Sequence, residues 1–141
     1  GMMKENIVGK DGADRISGFP TNILDMHNEL PQGSWDAIWM SQFLDCFSEE
    51  EIYSILARAA KVMSSDTTLY IMETFWDRQK YEPASLCLTM TSVYFTVMAN
   101  GNSKMYHSDD MIQQIDRAGL KVVNTYDGIG QGHTILEVKL K

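Results

Sequence analysis

Two carboxylates stand where the sequence predicts the ends of neighbouring strands. Asp45 lies in the loop that follows the apolar run Ala37–Met40. Glu73 closes a second apolar run, Thr68–Glu73. Because ligands of open α/β sheets bind at the carboxyl ends of the strands, we expect these two side chains to share a site. As a functional pair they would bind a cation or polarise an acceptor hydroxyl; the alternative is that both are solvated loop carboxylates.

The histidines and cysteines form no ligand cluster in the sequence. His107 stands just before a helix start, where we interpret it as a solvent-facing residue of the cap region, with a catalytic role as the alternative. His133 opens the last strand and is interpreted as structural. Cys46 and Cys87 do not have a metal-binding spacing, and we predict no metal site. Two cysteines so far apart are typical of a reduced, cytoplasmic chain.

The elements that must position Asp45 have clear signals. Ala37–Met40 is short and uniformly apolar, which predicts a strand covered on both faces. Ser48 and Glu51 have the spacing of a capping box, so a helix should begin there. Apolar residues then recur every three or four positions as far as Met63, which predicts one buried stripe.

The rest of the chain continues the alternation of strands and helices. Thr68–Glu73 is predicted as a second buried strand, and Pro83–Asn100 as a helix that is either buried or forms a pocket wall. A further helix should be capped by Ser108. Two final strands flank the loop DGIGQG at 127–132 and form a hairpin. This pattern predicts an α/β fold whose mostly parallel sheet ends in an antiparallel hairpin.

The amino-terminal part has weaker signals. Residues 1–15 are polar and glycine-containing, which predicts a flexible arm, and Gly1 before a methionine is typical of a tag remnant. Ile16–Leu24 could hold a short edge strand, although it contains glycine and proline. The folded domain is therefore predicted over residues 16–141.

Composition and charge exclude two classes of partner. The net charge is −7, whereas binding to nucleic acid requires a basic face that neutralises phosphates. The sequence has no apolar run of the roughly 18 residues that a membrane-spanning helix needs. We therefore expect neither nucleic-acid binding nor a membrane segment.

Four short motifs occur in an informative order. Asp36–Met40 reads DAIWM, and Ser48–Glu50 forms an acidic helix start. Glu73 closes the next strand, and Ala118–Leu120 reads AGL before the closing hairpin. This order resembles the second half of the catalytic domain of class I, S-adenosylmethionine-dependent O-methyltransferases of the hydroxyindole and caffeic-acid type. The resemblance covers about residues 16 to 141 and implies a partial Rossmann-like methyltransferase sheet.

The chain also departs from the family's pattern. The glycine-rich turn of the family's cofactor site has no counterpart, since nothing before Ile16 can supply its two strands and helix. Asp45 falls where the family has a histidine base, and Met105 falls near one of the two acidic residues that orient that base; Glu73 matches the other. Asn22 falls close to a family aspartate that contacts adenine.

The resemblance implies a role for each candidate site residue. Asp45 and Glu73 are the expected catalytic residues. The expected cofactor-binding residues are Asn22, Ile23, Ser41 and Gln42, and the expected substrate-binding residues are Trp76, Met90, Tyr94 and Met98.

The implied function is that of the C-terminal part of an O-methyltransferase acting on a hydroxyl of a small, aromatic molecule. Without the glycine-rich half, the isolated chain is expected to be inactive and to bind no S-adenosylmethionine. The alternative is a non-catalytic oligomeric or interaction module derived from a methyltransferase. The Asp36–Met40 strand lacks its family neighbour, so we expect a homo-oligomer formed through that strand edge or through the Pro83–Asn100 helix.

Overall fold

The strands and helices follow the predicted alternation. A computed structural model describes residues 2–99 and 101–141; Gly1, the predicted tag remnant, and Asn100, the predicted helix end, lie outside them. The elements in chain order are α1 (Met2–Ile7), β1 (Ala37–Ser41), α2 (Glu49–Val62), β2 (Thr68–Glu73), α3 (Glu82–Met98), α4 (Ser108–Arg117), β3 (Leu120–Ile129) and β4 (His133–Leu140). Short 3₁₀ turns occupy Ala13–Arg15, Leu44–Cys46 and Trp76–Arg78.

One mixed sheet organises the described residues, with the strand order β1-β2-β4-β3. β1 and β2 run parallel, and Trp39 pairs with Tyr70. β4 lies antiparallel between β2 and β3, so the closing hairpin places its second strand next to the parallel pair. This confirms the predicted α/β sheet with a C-terminal antiparallel hairpin.

The hydrophobic core lies between the sheet and the helices α2 and α4. Ile52 and Leu56 of α2 and Ile115 of α4 are almost fully buried, as are Leu69 and Leu136 of the sheet. Burying such a side chain contributes about 1.5–3 kcal/mol, so this layer stabilises the fold more than any single polar contact does. Both helices present the stripes that their sequence periodicity predicts.

The prediction that β1 is covered on both faces is wrong for this chain. Ile38 and Met40 face the core, whereas Ala37 and Trp39 point to the other side, where Trp39 is 56% exposed. Trp39 contacts Tyr70 on this open face at a centroid distance of 5.8 Å. The reason is that α2 and α4 pack against only one face of the sheet, and a strand's alternating side chains need a layer on each side.

The starts of α2 and α4 show how local sequence sets helix boundaries. Glu51 Oε2 accepts hydrogen bonds from the Ser48 backbone N–H at 2.8 Å and from its hydroxyl, which confirms the capping box. In α4, however, the N-cap is His107 and not Ser108. His107 Nδ1 accepts a hydrogen bond from the Asp109 N–H at 3.1 Å, while Ser108 is held by a carboxylate from another loop.

The predicted edge strand at Ile16–Leu24 is absent; this segment is irregular. Within it, the carbonyl of Ile23 accepts a hydrogen bond from the buried Arg58 of α2, which also donates to the backbone oxygens of Asp25 and Asn28 in the loop that follows. Within the predicted arm, the structure has the short helix α1 and a 3₁₀ turn. Among the described residues, no helix is both long and apolar enough to cross a bilayer.

Candidate active site

The loop between β1 and α2 is fixed to the end of β2 by Glu73. Glu73 Oε1 accepts hydrogen bonds from the backbone N–H groups of Phe43 and Leu44, at 2.9 and 2.8 Å. The loop begins at Gln42, whose φ of 48° lies in the left-handed region that non-glycine residues rarely adopt. The chain thus leaves β1 through a strained turn, a conformation often found at functional sites.

The same loop is held from its other side by the segment before α4. The Lys104 N–H donates to the backbone carbonyl of Asp45 at 3.0 Å, and the Tyr106 hydroxyl donates to the Phe47 carbonyl at 2.6 Å. The Asp45 side chain remains half-buried, and burial raises its pKa. Asp45 therefore stands at a fixed position beside Glu73, as the sequence predicts.

Glu73 is the most perturbed acid of this site. Its side chain is almost fully buried, and burial, followed by the negative charge of Asp45, raises the pKa of Glu73 from 4.5 to about 7. The N–H groups on Oε1 oppose this increase. Oε2 is buried and accepts no hydrogen bond from the described residues. At neutral pH, Glu73 is thus divided between its charged and neutral forms, with one oxygen left unsatisfied.

Trp76 lies in the 3₁₀ turn that follows β2, three residues beyond Glu73. It is half-buried, and its ring meets the His107 ring edge-on at 4.9 Å. The next residue, Asp77, accepts hydrogen bonds from the Ser108 N–H at 2.8 Å and from the Ser108 hydroxyl. These contacts place an aromatic side chain at the sheet edge that carries the two acids.

The other three expected substrate-binding residues lie on α3. Met90, Tyr94 and Met98 are 56%, 62% and 69% exposed. The body-facing side of the helix carries Ser92 instead, whose hydroxyl accepts a hydrogen bond from the Met105 N–H at 2.9 Å. The fold of the described residues does not enclose these three side chains in a pocket, and their role in acceptor binding stays a prediction.

The expected cofactor-binding residues fall into two pairs. Ser41 and Gln42 close β1 at the site. Asn22 and Ile23 belong to the loop held by Arg58, and the Asn22 side chain accepts a hydrogen bond from the Leu24 N–H at 3.2 Å. Ile23 nevertheless reaches β1, where it lines an apolar cavity of about 280 Å³ together with several β1 side chains.

Among the described residues, no left-handed glycine stands in a turn that leads from a strand into a helix, the feature that the expected cofactor site would use. S-adenosylmethionine needs a glycine turn between a strand and a helix, where the backbone can approach it closely. The left-handed glycines of the described chain lie elsewhere, in the amino-terminal arm, between α3 and α4, after α4 and in the closing hairpin. In the same part of the chain, no three His, Cys, Asp or Glu residues lie close enough to hold a metal ion.

Two features of this site are not indicated by the sequence pattern. The backbone N–H groups of Phe43 and Leu44 bind Glu73, and the Asp77 carboxylate holds the start of α4. For the first contact the sequence did contain one signal, namely that Glu73 is an acidic residue at the end of a buried strand. The second contact joins segments 31 residues apart and has no local signal.

Comparison with known proteins shows a likeness in structure only. No protein-family model and no curated protein matches the sequence. Mitomycin 7-O-methyltransferase MmcR is similar with a TM-score of 0.79 at 19% identity, over 98% of this chain and 38% of that one. LaPhzM gives a TM-score of 0.80 at 16% identity, over 99% and 39%.

A third similar structure is NcsB1, an O-methyltransferase from neocarzinostatin biosynthesis, in complex with S-adenosylhomocysteine and 1,4-dihydroxy-2-naphthoic acid. Its TM-score is 0.66 at 17% identity, over 83% of this chain and 32% of that one. The chain thus spans about a third to two-fifths of the length of these structures. At the level of the fold, the resemblance to the C-terminal half of an O-methyltransferase catalytic domain is confirmed.

Proposed function

We propose that this chain is the acceptor-side, C-terminal part of an S-adenosylmethionine-dependent O-methyltransferase, that it is cytoplasmic, and that it is inactive by itself. The acceptor is a hydroxyl on a small, aromatic molecule. The proposal is supported by the methyltransferase-like fold and by the missing glycine turn. NcsB1, which shares the fold, binds a dihydroxynaphthoic acid, a ligand of the class that we propose.

The observation that carries the proposal is the arrangement of Asp45 and Glu73. O-methylation requires removal of the hydroxyl proton, and a fixed carboxylate of raised pKa is a suitable base. Asp45 is the more accessible of the two acids, so we assign it to accept that proton. Glu73 is almost fully buried and holds the loop, which makes it a positioning residue.

The chemistry at these atoms is a single proton transfer. The O–H bond of the acceptor breaks, the proton passes to a carboxylate oxygen of Asp45, and the bonding pair stays on the acceptor oxygen as a nucleophile. S-adenosylmethionine, when bound in the complete enzyme, supplies the electrophilic methyl group. Trp76, at the same sheet edge, would contact the aromatic ring of the acceptor.

The second candidate function is a non-catalytic interaction module that keeps the methyltransferase fold. The exposed apolar side chains of α3 favour it, since such a surface is typical of a contact with another protein. The two functions differ in one respect that can be measured. Only the O-methyltransferase function requires the Asp45 carboxylate to accept a hydrogen bond from the hydroxyl of the acceptor.

Binding of a matched pair of small aromatics tests the role of Asp45. We expect 1-naphthol to shift the carboxyl ¹³C resonance of Asp45 with a Kd on the order of millimolar. Its methyl ether, which lacks the hydroxyl donor, should cause a smaller shift. In Asp45→Asn, where the Asp45 carboxyl is absent, the backbone amide resonances of Phe43 and Leu44 should shift equally with both compounds. Equal shifts from both compounds, or none, would favour the interaction module.

Titration calorimetry tests the cofactor half of the proposal. We expect S-adenosylhomocysteine to bind this chain no more tightly than roughly 1 mM, because a site that is not preorganised loses its affinity to ordering costs. A low-micromolar constant would contradict the proposal that the chain lacks half of the cofactor site. The result of the naphthol experiment does not depend on the result of the calorimetry. The role of Asp45 and the absence of half of the cofactor site can therefore be contradicted separately.

A further inference from the structure

A cavity of about 550 Å³ lies between the start of α3 and the closing hairpin. One wall is the segment 78–81, which leads from the 3₁₀ turn after β2 into α3, and the other wall comes from the hairpin residues 127–132. Neither Asp45 nor Glu73 is among the described residues that line it, so the cavity is separate from the candidate active site. Its volume falls within the range of about 300–1,000 Å³ that is typical of sites for small molecules.

Side-chain contacts fix the two walls to each other. Arg78 forms a two-point ion pair with Asp127 of the hairpin, with distances of 2.7 Å from Nε to Oδ1 and 2.9 Å from Nη2 to Oδ2. The side-chain amide of Gln79 donates to the carbonyl of Gly132 at 2.9 Å and to that of Phe75 at 2.7 Å. The walls are therefore held in place before any ligand binds, which lowers the cost of ordering the site.

The glycines of the hairpin turn leave its backbone uncovered. Gly132 has a φ of 99°, and a Cβ there would lie 2.5 Å from Gln79 Oε1, so a side chain would push the Gln79 amide away from the hairpin. At Gly128 and Gly130, by contrast, a Cβ would have no non-adjacent atom nearer than 4.0 Å. The amides of these two residues thus stand beside open space, where they would sense a bound ligand.

The charges around the cavity leave one positive charge uncompensated. Of the described residues that line it, Arg78, Lys80 and Asp127 are charged. The hydrogen-bonded Arg78 holds the pKa of Asp127 below its ordinary value, and both oxygens of this carboxylate already accept hydrogen bonds, one of them also from the Thr134 hydroxyl. Within the part of the chain that the structure describes, Lys80 forms no ion pair, and its ammonium lies 5.3 Å from the centre of the Tyr81 ring. This lining therefore attracts an anion.

We propose that this cavity binds a small aromatic carboxylate. The Lys80 ammonium matches the single charge of a carboxylate, whereas a phosphate monoester carries a charge of about −1.5 to −2 and would add uncompensated charge to the protein. The carboxylate accepts hydrogen bonds from Lys80 and from Nη1 of Arg78, the nitrogen that the ion pair with Asp127 does not use. The aromatic ring lies against Ala84 and against Tyr81, which is 63% exposed. The proposal goes beyond both candidate functions and depends on neither.

Backbone amide chemical shifts test the proposal with three probes. We expect 2-naphthoate to shift the amides of Gly128, Gly130 and Gly132 with a Kd on the order of 1 mM. Its amide, 2-naphthamide, has the same shape without the charge, and acetate has the charge without the ring, so both should bind about tenfold more weakly. The amides of Phe43 and Leu44 should shift less with 2-naphthoate, because the two acids of the candidate active site repel an anion.

Variants of Lys80 separate its charge from the shape of the cavity. Lys80→Met should weaken 2-naphthoate about tenfold and remove its advantage over 2-naphthamide, while Lys80→Arg should keep most of the affinity. Lys61→Met is the matched control, since it removes the same charge from the exposed last turn of α2 and should leave binding unchanged. Lys80 is also exposed, so these substitutions should retain the fold, which circular dichroism checks.

Several results would overturn the proposal. Equal binding of 2-naphthoate and 2-naphthamide, or full affinity in Lys80→Met, would show that charge plays no part. Tighter binding of inorganic phosphate than of 2-naphthoate would indicate a general oxyanion site. Shifts confined to Phe43 and Leu44 would place the ligand at the candidate active site, and no shift at about 20 mM 2-naphthoate would exclude a site of this class.

Discussion

Glu73→Gln is expected to stabilise the protein at pH 8 and to leave its stability nearly unchanged at pH 5. Burial and Asp45 raise the pKa of Glu73 from 4.5 to about 7. The folded state therefore binds this proton more tightly than the unfolded chain, and stability falls as the pH rises from about 4.5 to about 7. At 1.4 kcal/mol per pKa unit, the full loss is on the order of 3 kcal/mol. Glutamine keeps one acceptor for the loop N–H groups and carries no charge.

Urea unfolding at a series of pH values between 5 and 8 measures this effect. The unaltered protein should lose free energy of unfolding across this range, and Glu73→Gln should show a smaller slope. Asp45→Asn serves as the control: it removes the charge that is the second cause of the raised pKa of Glu73, so the loss should still begin near pH 4.5 but end at lower pH and be smaller. Parallel slopes for Glu73→Gln and the unaltered protein would contradict the assignment.

Arg58→Met is expected to destabilise the protein by about 2–4 kcal/mol, among the largest effects of a single polar residue here. Arg58 is 7% exposed, and its guanidinium donates to the backbone carbonyls of Ile23, Asp25 and Asn28, and to that of Ser54 within α2. Hydrogen bonds from a charged donor contribute about 1.5–3 kcal/mol each, and methionine keeps most of the packing volume. The loop 22–28 should detach first.

Arg117→Met is the matched control for this substitution. Arg117 makes an exposed ion pair with Glu50 at 3.1 Å, donates a hydrogen bond to Gln114 Oε1 at 2.6 Å and lies over the Tyr53 ring. Solvent-exposed ion pairs contribute little to stability, so we expect a smaller loss than for Arg58→Met. Urea unfolding should rank the two variants, and limited proteolysis should cleave loop 22–28 faster only in Arg58→Met. Equal losses of stability would mean that the buried guanidinium contributes no more than the exposed one.

The expected behaviour of Glu73 bears on function. A buried acid that lowers stability at neutral pH is unfavourable for the fold alone, since glutamine would hold the loop without the desolvation cost. The buried position of Glu73 therefore agrees with a functional site, where a residue needed for the reaction is retained although it lowers folding stability. The pKa of Asp45 itself is raised by burial.

Local signals predicted the parts of the fold that depend on neighbouring residues. The Ser48–Glu51 capping box and the strands ending at Ser41 and Glu73 lie within one or two residues of their predicted places. Prediction failed where a distant group decides the outcome. Ile23 lies in an irregular segment and not in a strand, and its carbonyl accepts a hydrogen bond from Arg58, 35 residues later in the chain.

By itself, the sequence determined the order of strands and helices, the uncharged character of α3 and the placement of two acids at adjacent strand ends, because these follow from periodicity, composition and strand direction. Only the tertiary structure decided that β1 is covered on one face, that α3 turns its apolar side outward, and that Glu73 is buried with one oxygen unsatisfied. Burial and pKa depend on which distant segments pack together, and no local pattern specifies that.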